Sequence, residues 1–430
     1  MTETSASAQI GGILELLNAN QYAAPIEDSL TLAGQHPEAV VDLAIASIEQ
    51  HPRGGTFLDA ALSFLPQDKW RCLVENALSA LEDGNENDAA ESVIAYASLQ
   101  HPEAIHPYLD SLFSISPNGA SYYSAYPWRE SGSQHFSFLK SVFEDAESAD
   151  QKMTAWEAMV QSRYMLAVDF ARQHSSSVMP SDTGRTLKDW LNCWLNLIGL
   201  EYSEEGYTRL CNQNLYHIVF PDSFFAADAT PDWLVEQHPT WRLKSNSPIA
   251  HFGGNSESEC KCCGGKLHRL IKFESVPDEI VISGLSGLEL AVCLSCLGWE
   301  EERLFFKHDD AGHPEHSFFE GEVGDPQFPA GPLKEVPVTL AQTPKRWYWQ
   351  DWGLSNSREN LHRIGGEPCW VQDADYPSCP SCERTMDFFM QLDSDLPTAD
   401  GDEWLWGSGG IGYVFWCDGC KVSGYLWQCT

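Results

Sequence analysis

Positive charge is scarce in this sequence: 26 Lys and Arg stand against 62 Asp and Glu, a net of −36 over 430 residues. Nucleic-acid binding rests on Lys and Arg neutralising phosphates, so this field argues against a nucleic-acid partner and favours a basic one. The segment from Gly365 to Thr430 is extreme, with Arg384 and Lys421 against eleven acids. Long apolar runs are also missing. No stretch approaches the ~20 apolar residues of a membrane span. Met1–Ile10 has neither the basic flank nor the apolar core of a signal peptide. The expectation is a cytoplasmic protein with no membrane partner. The chain has no His-Glu-x-x-His, no Gly-x-Ser-x-Gly and no Walker loop. No catalytic constellation is visible, and the chain is expected not to be an enzyme. Cysteine is almost absent from the first 259 residues, where only Cys72, Cys193 and Cys211 occur; eleven more follow.

The expected fold class is α+β, with a helical domain over residues 1–205 and a β-rich domain over 206–430. In the first, Pro37–Gln50, Gln67–Glu82, Asn87–Gln100, Phe136–Ala149, Thr154–His174 and Thr186–Leu200 read as helices. Val40, Leu43, Ala44, Ser47 and Ile48 share one face at helical spacing. Breaks are expected at His51–Gly55 and Glu82–Asn85. Gln35-His-Pro-Glu-Ala39 recurs 65 residues later as Gln100-His-Pro-Glu-Ala104, which points to stacked HEAT-like repeats.

From about Tyr207 onward Pro, Gly and Trp become frequent and helical periodicity stops. Leu215–Phe220, Leu267–Phe273, Glu279–Ser283, Leu288–Val292, Thr385–Leu392 and Gly412–Trp416 read as strands. A loop-rich join over 308–345 divides the domain into halves of about 206–330 and 331–430. The run Trp347-Tyr-Trp349-Gln-Asp-Trp352 is expected to fill the core of the zinc domain, with a protein-contact hot spot as the alternative.

Four Cys-x-x-Cys pairs carry the strongest signal: Cys260/Cys263, Cys293/Cys296, Cys379/Cys382 and Cys417/Cys420. Two residues between thiolates let one turn aim both sulfurs at one ion, and two such knuckles close a tetrahedron. The intervals 263–293 and 382–417 each have room for a strand and its return, as in a zinc ribbon. The reading is therefore two structural zinc ions, each held by four cysteines; an iron–sulfur cluster also takes four thiolates and stays open at this point. Cys262 competes with Cys263, with the spacing favouring Cys263 and leaving Cys262 facing solvent. Cys369 and Cys429 are expected as spare core thiols. His251, His268, His313 and His316 are expected to be surface or satisfied imidazoles. Gly264 and Gly265 follow the first knuckle, where a turn with positive φ is often needed. Phe252-Gly-Gly254 and Ile364-Gly-Gly366 each precede a knuckle, an apolar strand and a second knuckle, which suggests an internal duplication.

The segment from His362 to Cys420 resembles the YwqG-like family of bacterial proteins. The likeness rests on Gly365-Gly366-x-Pro368-x-Trp370, Met386-x-Phe388-Phe389-Met390-Gln391-Leu392-Asp393, Leu396-Pro397 and Gly410-x-Gly412-x-Val414-Phe415-x-Cys417. With its Cys-x-x-Cys pairs it is also similar to the programmed-cell-death-protein-2-like proteins. The resemblance implies two similar halves, no established enzymatic activity, and binding to other proteins. YwqG-like proteins are suspected immunity proteins, and the eukaryotic relatives are thought to escort a ribosomal protein. The expected partner is a bacterial toxin with a basic surface, or else a basic client such as a ribosomal protein.

Overall fold

The computed structural model describes residues 5–19, 23–52, 55–82, 86–115, 126–181, 183–225, 238–245, 249–355 and 359–430. It is a mixed α+β chain: a helical region is followed by a β-rich region carrying two four-cysteine clusters. Two compact units result. One comprises 1–198 with 237–239 and 345–358; the other comprises 199–236, 240–344 and 359–430.

The helical unit contains α1 (Ala6–Asn18), α2 (Ala23–Gln35), α3 (Val40–Gln50), α4 (Gly55–Leu62), α5 (Trp70–Glu82) and α6 (Asp88–Gln100). These are followed by α7 (Leu109–Ile115), α8 (Ser133–Asp145), α9 (Ala149–Gln161), α10 (Met165–His174) and α11 (Leu187–Asn196). The face read for α3 is the buried one: Val40, Leu43, Ala44, Ser47 and Ile48. In α6 every residue except Asp88 and Glu91 is buried, because α3, α4 and α5 all pack on it. Asn87 caps this helix by accepting from the Ala90 amide at 2.9 Å and donates to the Ile48 carbonyl at 3.0 Å.

Both copies of the repeated pentapeptide act alike. A helix stops at Gln35 or Gln100, the pre-proline His36 or His101 leaves the helical region with ψ of 67° or 60°, and Pro-Glu-Ala forms one 3-10 turn. Proline's ring clashes with a helical predecessor, so the helix ends there. Thr154–His174 is two helices and not one: the chain turns at Arg163, with φ +56°, between α9 and α10. Trp347 is buried, but in the helical unit and not in the zinc domain, because 345–358 returns to the helices; it lies under Arg346. The break at Glu82–Asn85 falls mostly outside the described residues, as do Arg53 and Gly54 in the other break.

The β unit opens with the hairpin β1 (Leu200–Ser203) and β2 (Gly206–Arg209). Its strands continue as β3 (Tyr216–Val219), β4 (Ala250–Phe252), β5 (Asn255–Glu259), β6 (Lys266–Phe273), β7 (Leu288–Val292), β8 (Leu304–His308) and β9 (Pro314–Glu315). The last are β10 (Val336–Gln342), β11 (Arg363–Ile364), β12 (Asp387–Asp393), β13 (Leu396–Pro397), β14 (Glu403–Trp404), β15 (Gly410–Cys417) and β16 (Val422–Cys429). The main sheet runs β5-β6-β4-β10-β3-β11-β12-β15-β16-β8-β9, with β7 also paired to β6. Strand β15 is buried along its whole length, so it reads as a continuous apolar run. Glu279–Ser283 forms no strand; it is an irregular strap with Val281 exposed, despite its β-favouring composition.

The register shows the duplication residue by residue. Phe252 pairs with Val336 and Ile271 as Ile364 pairs with Tyr216 and Met390. A bulge interrupts β6 between Arg269 and Ile271 and β12 between Phe388 and Met390. Ile271 then faces Leu290 as Met390 faces Val414. Cys263 and Cys382 each lie eight residues before the post-bulge residue, and Cys293 and Cys417 each lie three after its partner. The two glycine pairs share a backbone, with φ of +76° and +78° at Gly253 and Gly254 and +74° and +71° at Gly365 and Gly366. The copies are not the linear halves 206–330 and 331–430. Strand β3 serves the second copy by pairing with β11, and β10 serves the first by pairing with β4. The two meet side by side at the centre of the sheet.

Candidate metal centres

Each cluster is built from two knuckles on the ends of antiparallel strands. In the first, the Cys260 amide donates to the Gly265 carbonyl and the Gly264 amide to the Cys260 carbonyl, both at 2.8 Å. In the third knuckle the Cys379 amide donates to Arg384 and the Glu383 amide to Cys379, again at 2.8 Å. In three of the four knuckles the residue after the second cysteine turns to positive φ: +73° at Gly264, +61° at Glu383 and +54° at Lys421. Glycine reaches that region without strain, whereas Glu383 and Lys421 adopt it at a cost of about 1 kcal/mol each. The Cys293 and Cys417 knuckles share a 3.2 Å bond from the second cysteine's amide to the first one's carbonyl.

These turns bring Cys260, Cys263, Cys293 and Cys296 together, and likewise Cys379, Cys382, Cys417 and Cys420, with each set of sulfurs within 4.8 Å of one another. The Sγ–Sγ separations are 3.9 Å for Cys260–Cys296, 3.7 Å for Cys263–Cys293 and 3.7 Å for Cys382–Cys417. A tetrahedron with metal–sulfur bonds of about 2.3 Å has edges of about 3.8 Å, so the spacing is that of four ligands around one ion. A disulfide would need about 2.05 Å, and no cysteine is in one. A multi-iron cluster would push the thiolates apart by placing iron and sulfide between them.

The electrostatics call for a cation. Hydrogen bonds from Cys293 and Cys296 hold Cys260 far below an ordinary thiol, and the contact with Cys260 drives Cys293 and Cys296 up. In the second cluster the Arg384 amide, then its side chain, pulls Cys382 down to about 6, while burial pushes Cys417 up to about 12. Four thiolates at this spacing repel one another, so they ionise together only around a positive ion.

Cys262 is buried and not solvent-facing, and burial pushes its thiol up to about 12. It lies with Cys260 and His316 in a further three-residue group. Nδ1 of His316 accepts from the Lys261 amide at 3.0 Å, so the ring's proton sits on Nε2. A hydrogen bond from this imidazole helps keep Cys260 ionised. His316 therefore supports a ligand through its N–H and has no lone pair left for a second metal. Nδ1 of His268 accepts from the Leu294 amide at 3.0 Å, fixing the Cys293 knuckle, and its Nε2 reaches the Ala330 carbonyl at 3.1 Å. His251 is exposed, and His313 is exposed beside Asp309. Cys369 is a buried thiol within 3.0 Å of Arg363, and Cys429 is half-buried.

Sequence reasoning did not find the support around the second cluster. Asp418, inside its last knuckle, accepts from the amide and hydroxyl of Ser283, from Lys421 and from the Trp416 indole. Against the cost of burial, these donors hold its carboxyl well below the usual range. The strap of the first copy is thus pinned to the knuckle of the second, 135 residues away. No local signal marks such a contact.

Among the described residues no helix is long and apolar enough to cross a membrane. No protein-family model matches the chain, and no solved structure matches it. The uncharacterized protein YpfL of Salmonella typhimurium is similar over 69 residues at 40% identity, which is 16% of this chain and 15% of that protein. The chain therefore spans about 15% of the length of the curated relative it matches.

Proposed function

We propose that this chain is a non-enzymatic cytoplasmic binding protein, scaffolded by two structural zinc ions, that recognises a basic protein partner. The observation that carries it is the closure of both clusters: four sulfurs per cluster leave no position for substrate or a reactive water. Zinc is favoured because a four-thiolate tetrahedron with single-ion spacing suits a metal without redox chemistry or directional preference. Fourteen cysteines, none of them in a disulfide, fit a reducing compartment. The net charge of −36 would steer a basic partner and oppose nucleic acid. Together with the likeness to YwqG-like proteins, this makes an immunity protein that neutralises a bacterial toxin the leading reading. The same acidity would serve an assembly chaperone for a ribosomal protein.

Metal analysis of the purified protein should return about two zinc ions per chain. Mixing with the product of a neighbouring toxin gene should give a complex that weakens with salt. Recovery of ribosomal proteins instead would favour the chaperone. Failure to bind either at low salt, or turnover of a substrate that survives loss of both metals, would refute the binding reading.

A further inference from the structure

The β unit contains a cavity of about 260 Å³ beside the second cysteine cluster. Its walls come from the stretch after β2, from the strap, and from β12 and β15. The Trp416 and Phe388 rings lie behind its wall, 3% and 2% exposed, and Glu279, Asp387 and Asp418 supply carboxylates; Arg209 is the one cation among the described lining residues. The strap wall is fixed, since Ser283 is bonded to Asp418 and Lys421. Val281 stands 65% exposed at that wall.

The size excludes a nucleotide or a large cofactor, whose pockets run to about 300–1,000 Å³; one long side chain fits. The charge selects a cation. Asp418 is already engaged by Lys421, whereas the carboxylates of Glu279 and Asp387 hydrogen-bond to none of the described residues. Partial burial raises the Asp387 carboxyl, the Arg384 charge draws it back, and the Asp418 charge adds to the rise; an arriving cation would offset the raising effects. Two carboxylates without hydrogen-bond partners among the described residues suit a planar guanidinium better than an ammonium. The guanidinium can bind a carboxylate through two N–H groups at once.

We propose that this cavity receives a single arginine side chain of the basic partner, its guanidinium held by the Asp387 and Glu279 carboxylates. The proposal rests on the binding reading above and names where that partner is gripped.

The Trp416 indole donates to Asp418 at 3.1 Å, so its N–H resonance reports on the cavity. N-acetyl-arginine amide is titrated into the full chain by NMR, with the citrulline amide as a neutral isostere. Saturable movement of the Trp416 signal is expected with arginine and none with citrulline. Asp387→Asn, on an exposed strand end, should weaken arginine binding about fivefold or more while leaving metal content unchanged. Glu279→Gln is the second variant should the first not fold. Equal responses to arginine and citrulline, or unchanged affinity in the variants, overturn the proposal. Binding of arginine amide without any basic protein partner would leave the cavity standing and sink the wider reading. A partner that binds the variants as well as the parent would do the reverse.

Discussion

Stepwise thiol modification should strip the two metal ions in a fixed order, the second cluster first. Cys260, Cys293 and Cys296 belong to the buried core of the β unit, and Cys263 packs against it. In the second cluster Cys379 and Cys417 are buried but two sulfurs, Cys382 and Cys420, are half-buried, against Cys263 alone in the first. A mercurial reagent therefore reaches the second cluster more readily than the first. The energy at stake is large: structural zinc binding is worth about 10–16 kcal/mol of folding free energy in small domains, against about 5–15 kcal/mol for a whole domain. Losing the first ion from the core should unfold the β unit. Losing the second should release the β15–β16 turn and the strap pinned to Asp418.

Zinc release is followed with a colorimetric chelator while a mercurial is added in steps, with hydrogen exchange read by mass spectrometry at each plateau. Two waves of one ion each are expected. The first should come with faster exchange in the strap and in residues 410–429 only. Cys382→Ser should keep one ion and a folded sheet, whereas Cys296→Ser should lose cooperative unfolding of the β unit. Release of both ions in a single wave, or a folded Cys296→Ser beside an unfolded Cys382→Ser, would refute the assignment of the first cluster to the core.

Three further outcomes follow from single positions. Gly365→Ala would place a Cβ 1.9 Å from the Asn214 carbonyl at φ +74°, while Gly401→Ala at φ +92° meets nothing within 4 Å. The first should cost at least about 3 kcal/mol in chemical denaturation and the second about 1 kcal/mol; equal losses would sink the close-approach argument. Arg269 bonds Glu289 at 2.9 Å with both side chains largely buried. Arg269→Ala should cost about 3–5 kcal/mol by stranding that carboxylate, and adding Glu289→Gln should restore much of it. Burial raises Asp393 to about 7, against an ordinary value of about 3.9. The folded chain therefore holds a proton that the unfolded chain sheds, and this group's contribution to stability falls as pH rises through that window. Asp393→Asn should gain stability steadily from about pH 5.5 to about pH 7.5, reaching about 2 kcal/mol; a pH-independent difference would contradict the assignment.

Much of this was legible because it is local. A knuckle needs four residues, a pre-proline helix stop needs three, and the α3 face needs one periodicity. Strand β7 matches its sequence reading residue for residue, Leu288–Val292. The paired glycines announced a repeated backbone because only a residue without a Cβ passes that close to the Lys334 or Asn214 carbonyl. The misses depend on distant partners. Glu279–Ser283 has strand composition, but Ser283 bonds to Asp418 in place of a ladder partner. Cys262 has the spacing of a surface thiol, yet the first copy's core closes around it. The break at Arg163 carries neither glycine nor proline to mark it.

The exchange of β3 and β10 explains why the duplication does not fall into two separable halves. Each copy's glycine turn needs a backbone carbonyl from the segment just before its companion strand, Leu333 for Gly254 and Asn212 for Gly366. That strand is supplied across the join: β10 follows the first copy's knuckles, and β3 precedes them. Cutting the chain at residue 330 would leave the first copy without β10, and so without the carbonyl that seats Gly254. Neither piece keeps both its cluster and the strands that position it, so the two copies of the β unit must fold together. A fragment of 331–430 that folded alone and held its ion would break this reasoning, because it lacks β3, the strand against which Ile364 aligns ahead of the third knuckle.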